Sequence, residues 1–186
     1  LDPSIKPLKP EHKIGGQVFT IQGNANTSYS HHETLLAWTG MLSKAPSDKI
    51  LICQPNDNIA AFMGELSAEY LLKKNIRGYI ADGGCRDVEF INNINFPVWS
   101  KFNTPKDVVG YWKPDVLEEK ITIGDVIINN NDYVVADIDG VVIIPENNIM
   151  DILEKSELLI NTESKVRQSI REGMDPQEAY IKYSAF

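Results

Sequence analysis

The feature that most constrains the fold is a change in the spacing of apolar residues along the chain. Residues 50–53 (ILIC) form a short apolar run, and residues 77–84 (RGYIADGG) form another that ends in glycines. Residues 59–75 between them have helical spacing, but Gly64 interrupts it, so the regular helix is expected either over the whole stretch or only over residues 64–75 (GELSAEYLLKKN). Residues 121–145 instead contain short apolar runs separated by Gly-Asp, Asn-Asn-Asn-Asp and Asp-Gly turns. This strand-helix-strand order followed by a β-rich block predicts an α/β fold, with residues 1–186 forming a single compact domain.

The segments before residue 50 add an extended arm, a strand and a helix. Proline-rich residues 1–13 predict the arm, and residues 13–23 (KIGGQVFTIQG) are typical of a strand bounded by glycines. Ser30 with Glu33 three residues later is a capping-box pattern that predicts the start of a helix. The apolar face predicted for this helix is Leu35, Trp38 and Leu42, and the face predicted for the next helix is Met63, Leu66 and Tyr70.

Composition excludes several classes of partner. The chain has 18 Lys and Arg against 26 Asp and Glu, which gives a net charge of -8. This balance argues against nucleic-acid binding and against a basic membrane-binding surface. Cys53 and Cys85 each lie near the end of an apolar run, so we expect buried thiols in a reducing, cytoplasmic setting. The chain begins at Leu1 rather than Met, so an N-terminal piece could be missing.

The residues with chemical potential lie around the central helix-strand unit. A helix that starts at Gly64-Glu65 exposes its first N–H groups, which form a site for an anion such as a carboxylate. The following strand ends at Arg86 and Asp87, so the guanidinium could bind the same anion and the carboxylate could hold Mg²⁺. The alternative is a solvated loop with a weak Arg-Asp ion pair.

Four segments of the chain resemble one family. The order GELSAEYLLKKNIRGYIADGGCRD, FPVWSK and ADIDGVVIIP, with GGQVFTI before it, is similar to the regulator of ribonuclease activity A-like proteins. This family includes the class II 4-hydroxy-4-methyl-2-oxoglutarate (4-carboxy-4-hydroxy-2-oxoadipate) aldolases, and the resemblance implies a swivelling β/β/α domain. The sequence departs from the family where NNND replaces a Pro-Gly-Asp turn and where the usual N-terminal helix is not found.

The resemblance also implies roles for individual residues. Arg86 corresponds to the arginine that contacts the substrate, Asp87 to the protein ligand of the metal, and Glu65 to an acid of the active-site water network. The segment whose backbone amides receive the pyruvoyl end of the substrate corresponds to Gly64, Glu65, Leu66 and Ser67.

The activity implied by the resemblance is that of a metal-dependent carbon-carbon lyase. With Mg²⁺ or Mn²⁺ as cofactor, the enzyme would cleave short 2-oxo acids through a pyruvate enolate, by a retro-aldol reaction or by decarboxylation of oxaloacetate. The family usually forms homotrimers or homohexamers with active sites between subunits. Lys73 and Lys74 lie at a polar helix end, so the sequence offers no Schiff-base lysine. The alternative function, also found in the family, is that of a non-catalytic regulator that binds a ribonuclease or another protein.

A third candidate catalytic residue, Glu163, lies in the predicted C-terminal helical segment, residues 146–186. The resemblance suggests that a glutamate of this segment reaches the active site of a neighbouring subunit. The alternative is a local ion pair with Arg167, four residues further along the helix. The apolar stripe predicted for this helix, within which Glu163 falls, consists of Ile149, Ile152, Leu153, Leu159, Ile160, Val166 and Ile170.

Overall fold

The computed structural model describes residues 1–185. The strands are β1 (Lys6–Pro7), β2 (Ile14–Ala25), β3 (Ile50–Gln54), β4 (Gly78–Ala81), β5 (Gly84–Cys85), β6 (Val98–Ser100), β7 (Phe102–Asn103), β8 (Trp112–Leu117), β9 (Ile121–Ile123), β10 (Val126–Ile128), β11 (Tyr133–Ala136) and β12 (Val141–Ile144). The helices are α1 (His31–Lys44), α2 (Glu65–Lys73), α3 (Val88–Asn93), α4 (Ile149–Arg171) and α5 (Pro176–Tyr183), with a 3₁₀ turn at Glu146–Asn148. The predicted α/β fold class is confirmed.

The long strand β2 organises the main sheet. The strand order is β1-β6-β4-β3-β2-β11-β12, and β8 also pairs with β2. The first residues of β2 pair with β11, and its middle pairs with β3 in parallel. Its last residues, from Ile21 to Ala25, pair antiparallel with β8, with a bulge between Gln22 and Gly23 that bends the strand.

The central strands β2, β3, β4 and β6 are parallel and are covered on both faces. Along β3, Leu51 and Cys53 belong to the cluster that includes helical residues of α1 and α2, whereas Ile50 and Ile52 belong to the cluster formed with β9 to β12. A strand buried on both faces has no need of polar alternation, which explains the continuous ILIC run. Burial raises the pKa of the Cys53 thiol, and likewise that of Cys85, to about 12, so both stay protonated as predicted for buried thiols.

The N-terminal arm is part of this sheet. Its residues Lys6 and Pro7 form β1, which pairs antiparallel with β6 at the edge, and Ile5 is fully buried. Because β1 is only two residues long and contains a proline, it exposes few unpaired backbone groups with which another chain could pair. The arm has turns on both sides of β1 and contributes an apolar side chain to the core.

Helix α1 starts as the capping box predicts. Ser30 is the N-cap, and its hydroxyl accepts a hydrogen bond from the Glu33 amide at 3.1 Å. Trp38 and Leu42 are buried, but Leu35 is 46% exposed. The predicted face is therefore confirmed at two of its three positions.

The predicted apolar face of α2 is wrong. The helix begins at Glu65, and its buried residues are Ala68 and Leu71. Leu66 is 77% exposed and Tyr70 is 43% exposed. Only Met63 is buried as expected. It precedes the helix, in the non-helical segment of residues 60–64, so its burial does not depend on which face of α2 is buried.

The chain divides into two compact units. The first, Leu1–Glu146, contains the sheet with α1 to α3; the second begins at Asn147 and contains α4 and α5. Helix α4 ends at Arg171, and a second helix of this unit, α5, begins at Pro176. Of the apolar stripe predicted on α4, Val166 is buried, and Ile149, Ile152 and Ile170 are half-buried. The prediction is wrong for Leu153, Leu159 and Ile160, which are 49–62% exposed. Within residues 1–185, no helix is long and apolar enough to cross a membrane.

Gly23 provides a test of packing at the bulge of β2. A Cβ atom at this position would overlap with the buried Trp112 ring and with the Lys113 carbonyl oxygen. We expect Gly23→Ala to lower the free energy of unfolding by about 1–3 kcal/mol through overpacking, measured by urea denaturation. The matched control is Gly40→Ala in α1, where nothing lies within 4 Å and where we expect about 0.5–1 kcal/mol of stabilisation. Equal effects of the two changes would contradict this account of the bulge.

Candidate functional site

Two segments that are distant in sequence run side by side at the start of α2. The Phe62 amide donates to the Gly84 carbonyl at 2.8 Å, and the Arg86 amide donates to the Met63 carbonyl at 3.0 Å. The Gly84 amide donates in turn to the Ala60 carbonyl at 3.2 Å. These backbone hydrogen bonds hold residues 60–63, which precede α2, against residues 84–86, which follow β4. Arg86 and Asp87 are therefore placed beside the start of α2.

The Asp87 carboxylate caps α2 from outside the helix. Gly64 is the N-cap residue and has no side chain to accept an amide, but Asp87 Oδ2 accepts the Glu65 N–H at 3.0 Å. Oδ2 is also 3.5 Å from Arg86 Nε. Asp87 itself has φ 56°, a left-handed conformation that Asp and Asn adopt more readily than other residues with side chains.

Gly64 is required by this close approach. A Cβ atom there would be 2.9 Å from Arg86 Nε and 2.9 Å from Asp87 Oδ2. The backbone at Gly64 is extended and would suit any residue. The glycine is therefore needed for space rather than for backbone freedom, and it lets two charged side chains lie directly against the helix start.

Arg86 has a second carboxylate partner, Asp107. Arg86 Nη1 lies 2.9 Å from Asp107 Oδ2, and the two side chains are 38% and 40% exposed. Asp107 lies in the loop between β7 and β8, where no periodicity or motif points to it. No sequence pattern indicates Asp107 as a site residue, because only the folded chain brings it to Arg86.

These residues line a cavity of about 530 Å³. Its walls include every candidate of the central unit: Gly64, Glu65, Leu66, Ser67, Arg86 and Asp87. The opposite wall comes from α1, with Thr34, Leu35, Trp38, Thr39, Leu42 and Ser43. The structure thus brings together all the candidates predicted in this unit and adds an apolar and hydroxyl-bearing wall that the sequence did not indicate.

Trp38 is a second residue that sequence analysis did not assign to the site. Its indole Nε1 donates to Ser67 Oγ at 2.9 Å. Trp38 is otherwise buried against the edge of Trp112, with ring centroids 6.0 Å apart. Ser67 is therefore oriented by a fixed core side chain. The predicted apolar spacing of α1 identified Trp38 as buried but could not show that its polar atom faces the start of α2.

The start of α2 retains free donors. The Glu65 amide is used by Asp87, and the Ala68 amide donates to the Gly64 carbonyl at 3.0 Å. The amides of Leu66 and Ser67 have no acceptor within residues 1–185. Two N–H groups at a helix start, close to an arginine, can bind a carboxylate or phosphate.

Asp87 is the side chain best suited to hold a divalent cation here. Its Oδ1 accepts no hydrogen bond from the described residues. Those residues contain no group of three or more His, Cys, Asp or Glu that could hold a metal. Mg²⁺ commonly uses one or two protein carboxylates, with water and ligand oxygens completing its octahedron. The donor set therefore fits such a cation, or the similar Mn²⁺, and does not fit a closed protein cage.

Glu65 and Glu163 differ in their surroundings. The Glu65 side chain is exposed at the cavity. Glu163 lies on α4 in the second unit, and its carboxylate accepts from Arg167 Nη2 at 2.6 Å. This is the local ion pair that the sequence analysis gave as the alternative. A catalytic role for Glu163 stays a prediction.

Comparison with known proteins identifies the family. A model of the RraA-like family, described as Aldolase/RraA, matches residues 1–143. The chain belongs to the RraA-like family. It is 24% identical to the "Putative 4-hydroxy-4-methyl-2-oxoglutarate aldolase" of Halalkalibacterium halodurans, over 98% of this chain and 83% of that protein. It is also 28% identical to Protein DlpA of Legionella pneumophila over 97% of this chain, but it spans only 29% of the length of DlpA.

A solved member of the RraA-like family shares the fold. The match to Streptomyces coelicolor RraAS2, described as an unusual member of the RNase ES inhibitor RraA protein family, has a TM-score of 0.80 at 22% identity. It covers 89% of this chain and 82% of that one. The fold predicted from the family resemblance is thereby confirmed. One of these relatives is thus named as an aldolase, and another is described as a member of a ribonuclease inhibitor family.

The contact between Gly64 and Asp87 can be tested without a ligand. We expect Gly64→Ala to push the Asp87 carboxylate away from the Glu65 amide, because the new Cβ atom would be 2.9 Å from Oδ2. The Glu65 amide should then show a large chemical-shift change in a ¹⁵N–¹H spectrum, and the free energy of unfolding should fall by about 0.5–2 kcal/mol because the helix cap is lost. Asp87→Asn, which keeps an oxygen acceptor, is the control and should retain the hydrogen-bonded position of that amide. An unchanged Glu65 amide in Gly64→Ala would refute the contact.

Proposed function

We propose that this RraA-like protein is a divalent-metal-dependent lyase that cleaves short 2-oxo acids through a pyruvate enolate. The observation that supports this proposal most directly is the convergence of three groups at one cavity: the free amides of Leu66 and Ser67, the Arg86 guanidinium and the Asp87 carboxylate. A 2-oxo acid carries a carboxylate beside a keto oxygen. The amides and Arg86 suit the carboxylate, and Asp87 suits a cation beside the keto group.

The chain's own residues would bind and orient the substrate. Arg86 and the two amides would hold the pyruvoyl carboxylate, so that the keto oxygen lies toward Asp87. The positive charge of Arg86 and the dipole of α2 would also stabilise the negative charge that develops when the enolate forms. The divalent cation held by Asp87 would supply Lewis-acid polarisation of the keto oxygen.

The proposed reaction has two variants. In the retro-aldol reaction a base removes the proton of the 4-hydroxyl group, the bond between C3 and C4 breaks, and its electron pair forms the enolate. In oxaloacetate the same bond breaks with loss of CO₂. In both, C3 then takes up a proton and pyruvate leaves. Glu65, at the cavity, and Glu163, supplied by a neighbouring copy in a trimer or hexamer, are the carboxylates proposed for proton transfer.

The second candidate is a non-catalytic regulator that binds another protein. It is favoured by the description of the Streptomyces coelicolor relative as a member of a ribonuclease inhibitor family. A regulator of this kind would have no need for a metal or for a 2-oxo acid. The two candidates therefore differ in the outcome of a simple assay.

Metal removal tests the class of function. With Mg²⁺ or Mn²⁺ added, we expect the protein to release pyruvate from oxaloacetate and from 4-hydroxy-4-methyl-2-oxoglutarate, measured by coupled oxidation of NADH. EDTA should stop the release, because no keto-oxygen polarisation remains, and excess Mg²⁺ should restore it. The control is the metal-dependent decay of oxaloacetate without protein. If pyruvate release from either acid never exceeds that control, the lyase proposal fails and the regulator is favoured.

Replacement of Arg86 tests the anion site. Arg86→Ala should lower kcat/KM for oxaloacetate by about 10²–10³-fold, since a charge aimed at the developing enolate is lost. Its circular dichroism and unfolding midpoint should stay close to the wild type, because the side chain is 38% exposed and serves the cavity rather than the core. The kcat/KM of Arg86→Lys should lie between those of the wild type and Arg86→Ala, because lysine keeps the positive charge but lacks the planar guanidinium.

The matched control for Arg86 is Lys73→Ala. Lys73 is a 76% exposed cation on the same helix as the amides and pairs only with Glu69 among the described residues. This variant should retain full activity, which would also argue against a Schiff-base lysine at this position. Full activity in Arg86→Ala would overturn the role given to the arginine.

A further inference from the structure

The guanidinium of Arg86 is held from two sides. Its Nη1 donates to Asp107 Oδ2 at 2.9 Å, and its Nε lies 3.5 Å from Asp87 Oδ2. Its Nη2 has no acceptor within residues 1–185. The orientation of the group is therefore set by the two carboxylates, and the N–H groups of Nη2 remain available to a ligand.

Asp107 is itself fixed by its own loop. Its second oxygen, Oδ1, accepts the Val109 amide at 3.2 Å, so the carboxylate bridges its own backbone and Arg86. Both carboxylate oxygens are engaged, and each has one partner. Because both of its oxygens are hydrogen-bonded, the Asp107 carboxylate has a fixed orientation and can restrict the orientation of the Arg86 guanidinium.

The loop that carries Asp107 is tied to both walls of the cavity. The Ala61 amide donates to the Lys106 carbonyl at 2.9 Å, next to the approach to α2. The Gly110 amide donates to Thr34 Oγ1 at 2.9 Å, on the wall formed by α1. The Thr104 amide donates to the Cys85 carbonyl at 3.0 Å, directly before Arg86. These three bonds fix the loop of Asp107 to the approach to α2, to α1 and to the residue before Arg86.

The ion pair has little value for stability. Both side chains are more than a third exposed, and exposed ion pairs contribute little to folding because water screens them and both chains lose freedom. Asp107 also places a third carboxylate, beside Glu65 and Asp87, at a cavity suited to an anion. The ion pair of Asp107 with Arg86 offsets the repulsion between the Asp107 carboxylate and an anion bound in the cavity.

We propose that Asp107 is a positioning residue that holds the Arg86 guanidinium so that its free edge and the amides of Leu66 and Ser67 bind one carboxylate. This inference rests on the proposed function for the identity of the ligand, a 2-oxo acid. It makes a claim about the ligand-free protein as well, namely that Asp107 keeps the Arg86 side chain in one orientation. The opposite possibility is that Asp107 occupies the arginine in place of the substrate and is displaced by it.

The test is a graded series at Asp107. Asp107→Asn keeps an oxygen for Arg86 and loses the charge, whereas Asp107→Ala removes both. With Mg²⁺ present, the Kd of pyruvate by calorimetry and the KM of oxaloacetate should rise about tenfold or more in Asp107→Ala and less in Asp107→Asn, because the guanidinium is no longer aimed. The unfolding midpoints of the two variants should not show the same ranking as their Kd values. Glu33→Gln, which removes a similarly exposed ion pair with Lys113 outside the cavity, is the control and should leave Kd unchanged.

The outcomes separate the two proposals. If wild-type protein binds pyruvate but the Asp107 variants bind it equally well, the positioning role is overturned while the proposed function stands. Tighter binding by the variants would overturn it too, in favour of displacement. If the wild type binds no pyruvate, the proposed function fails, and NMR of the Arg86 Nε–H group in ligand-free protein decides the positioning claim. That group should become more mobile in Asp107→Ala, and unchanged order would refute the claim.

Discussion

The parallel pairing of β3 with β4 is the constraint on which the site depends. Parallel neighbours cannot be joined by a tight turn, so the chain between them must cross back over the sheet, here through residues 55–64 and α2. The start of α2 and the end of β4 consequently lie at the same edge of the sheet. Ligand sites of α/β proteins gather at this edge because loops and helix starts meet there.

The same edge concentrates charge. Three carboxylates, those of Glu65, Asp87 and Asp107, surround the single guanidinium of Arg86 among the described residues that line the cavity. Asp87 accepts the Glu65 amide, which explains how a helix can start at Gly64 without a capping side chain of its own. The dipole of α2 favours the Asp87 carboxylate at this position. An excess of negative charge is a poor site for an anion alone and a better one for an anion bound together with a divalent cation, which is the arrangement that the proposed lyase needs.

Apolar spacing predicted helices more reliably than it predicted their buried faces. The spacing correctly indicated α2 and α4, yet Leu66 on α2 and Leu159 on α4 are exposed in the single chain. A periodic pattern shows that residues share a side of a helix. It carries no information about what covers that side. The exposed apolar residues beside the cavity are consistent with the trimer or hexamer expected from the family resemblance, and that assembly remains a prediction.

The sequence by itself determined the strand-helix-strand order and the family, because these follow from local period and contiguous motifs. It left open whether α2 starts near Ile59 or at Gly64. It also supplied Arg86 and Asp87, which are adjacent in the chain. Only the tertiary structure decided that Asp87 caps α2, that Asp107 holds Arg86 and that Trp38 orients Ser67. These contacts join residues 20 or more positions apart, and their geometry is set by sheet register and close backbone approach, which no local pattern encodes.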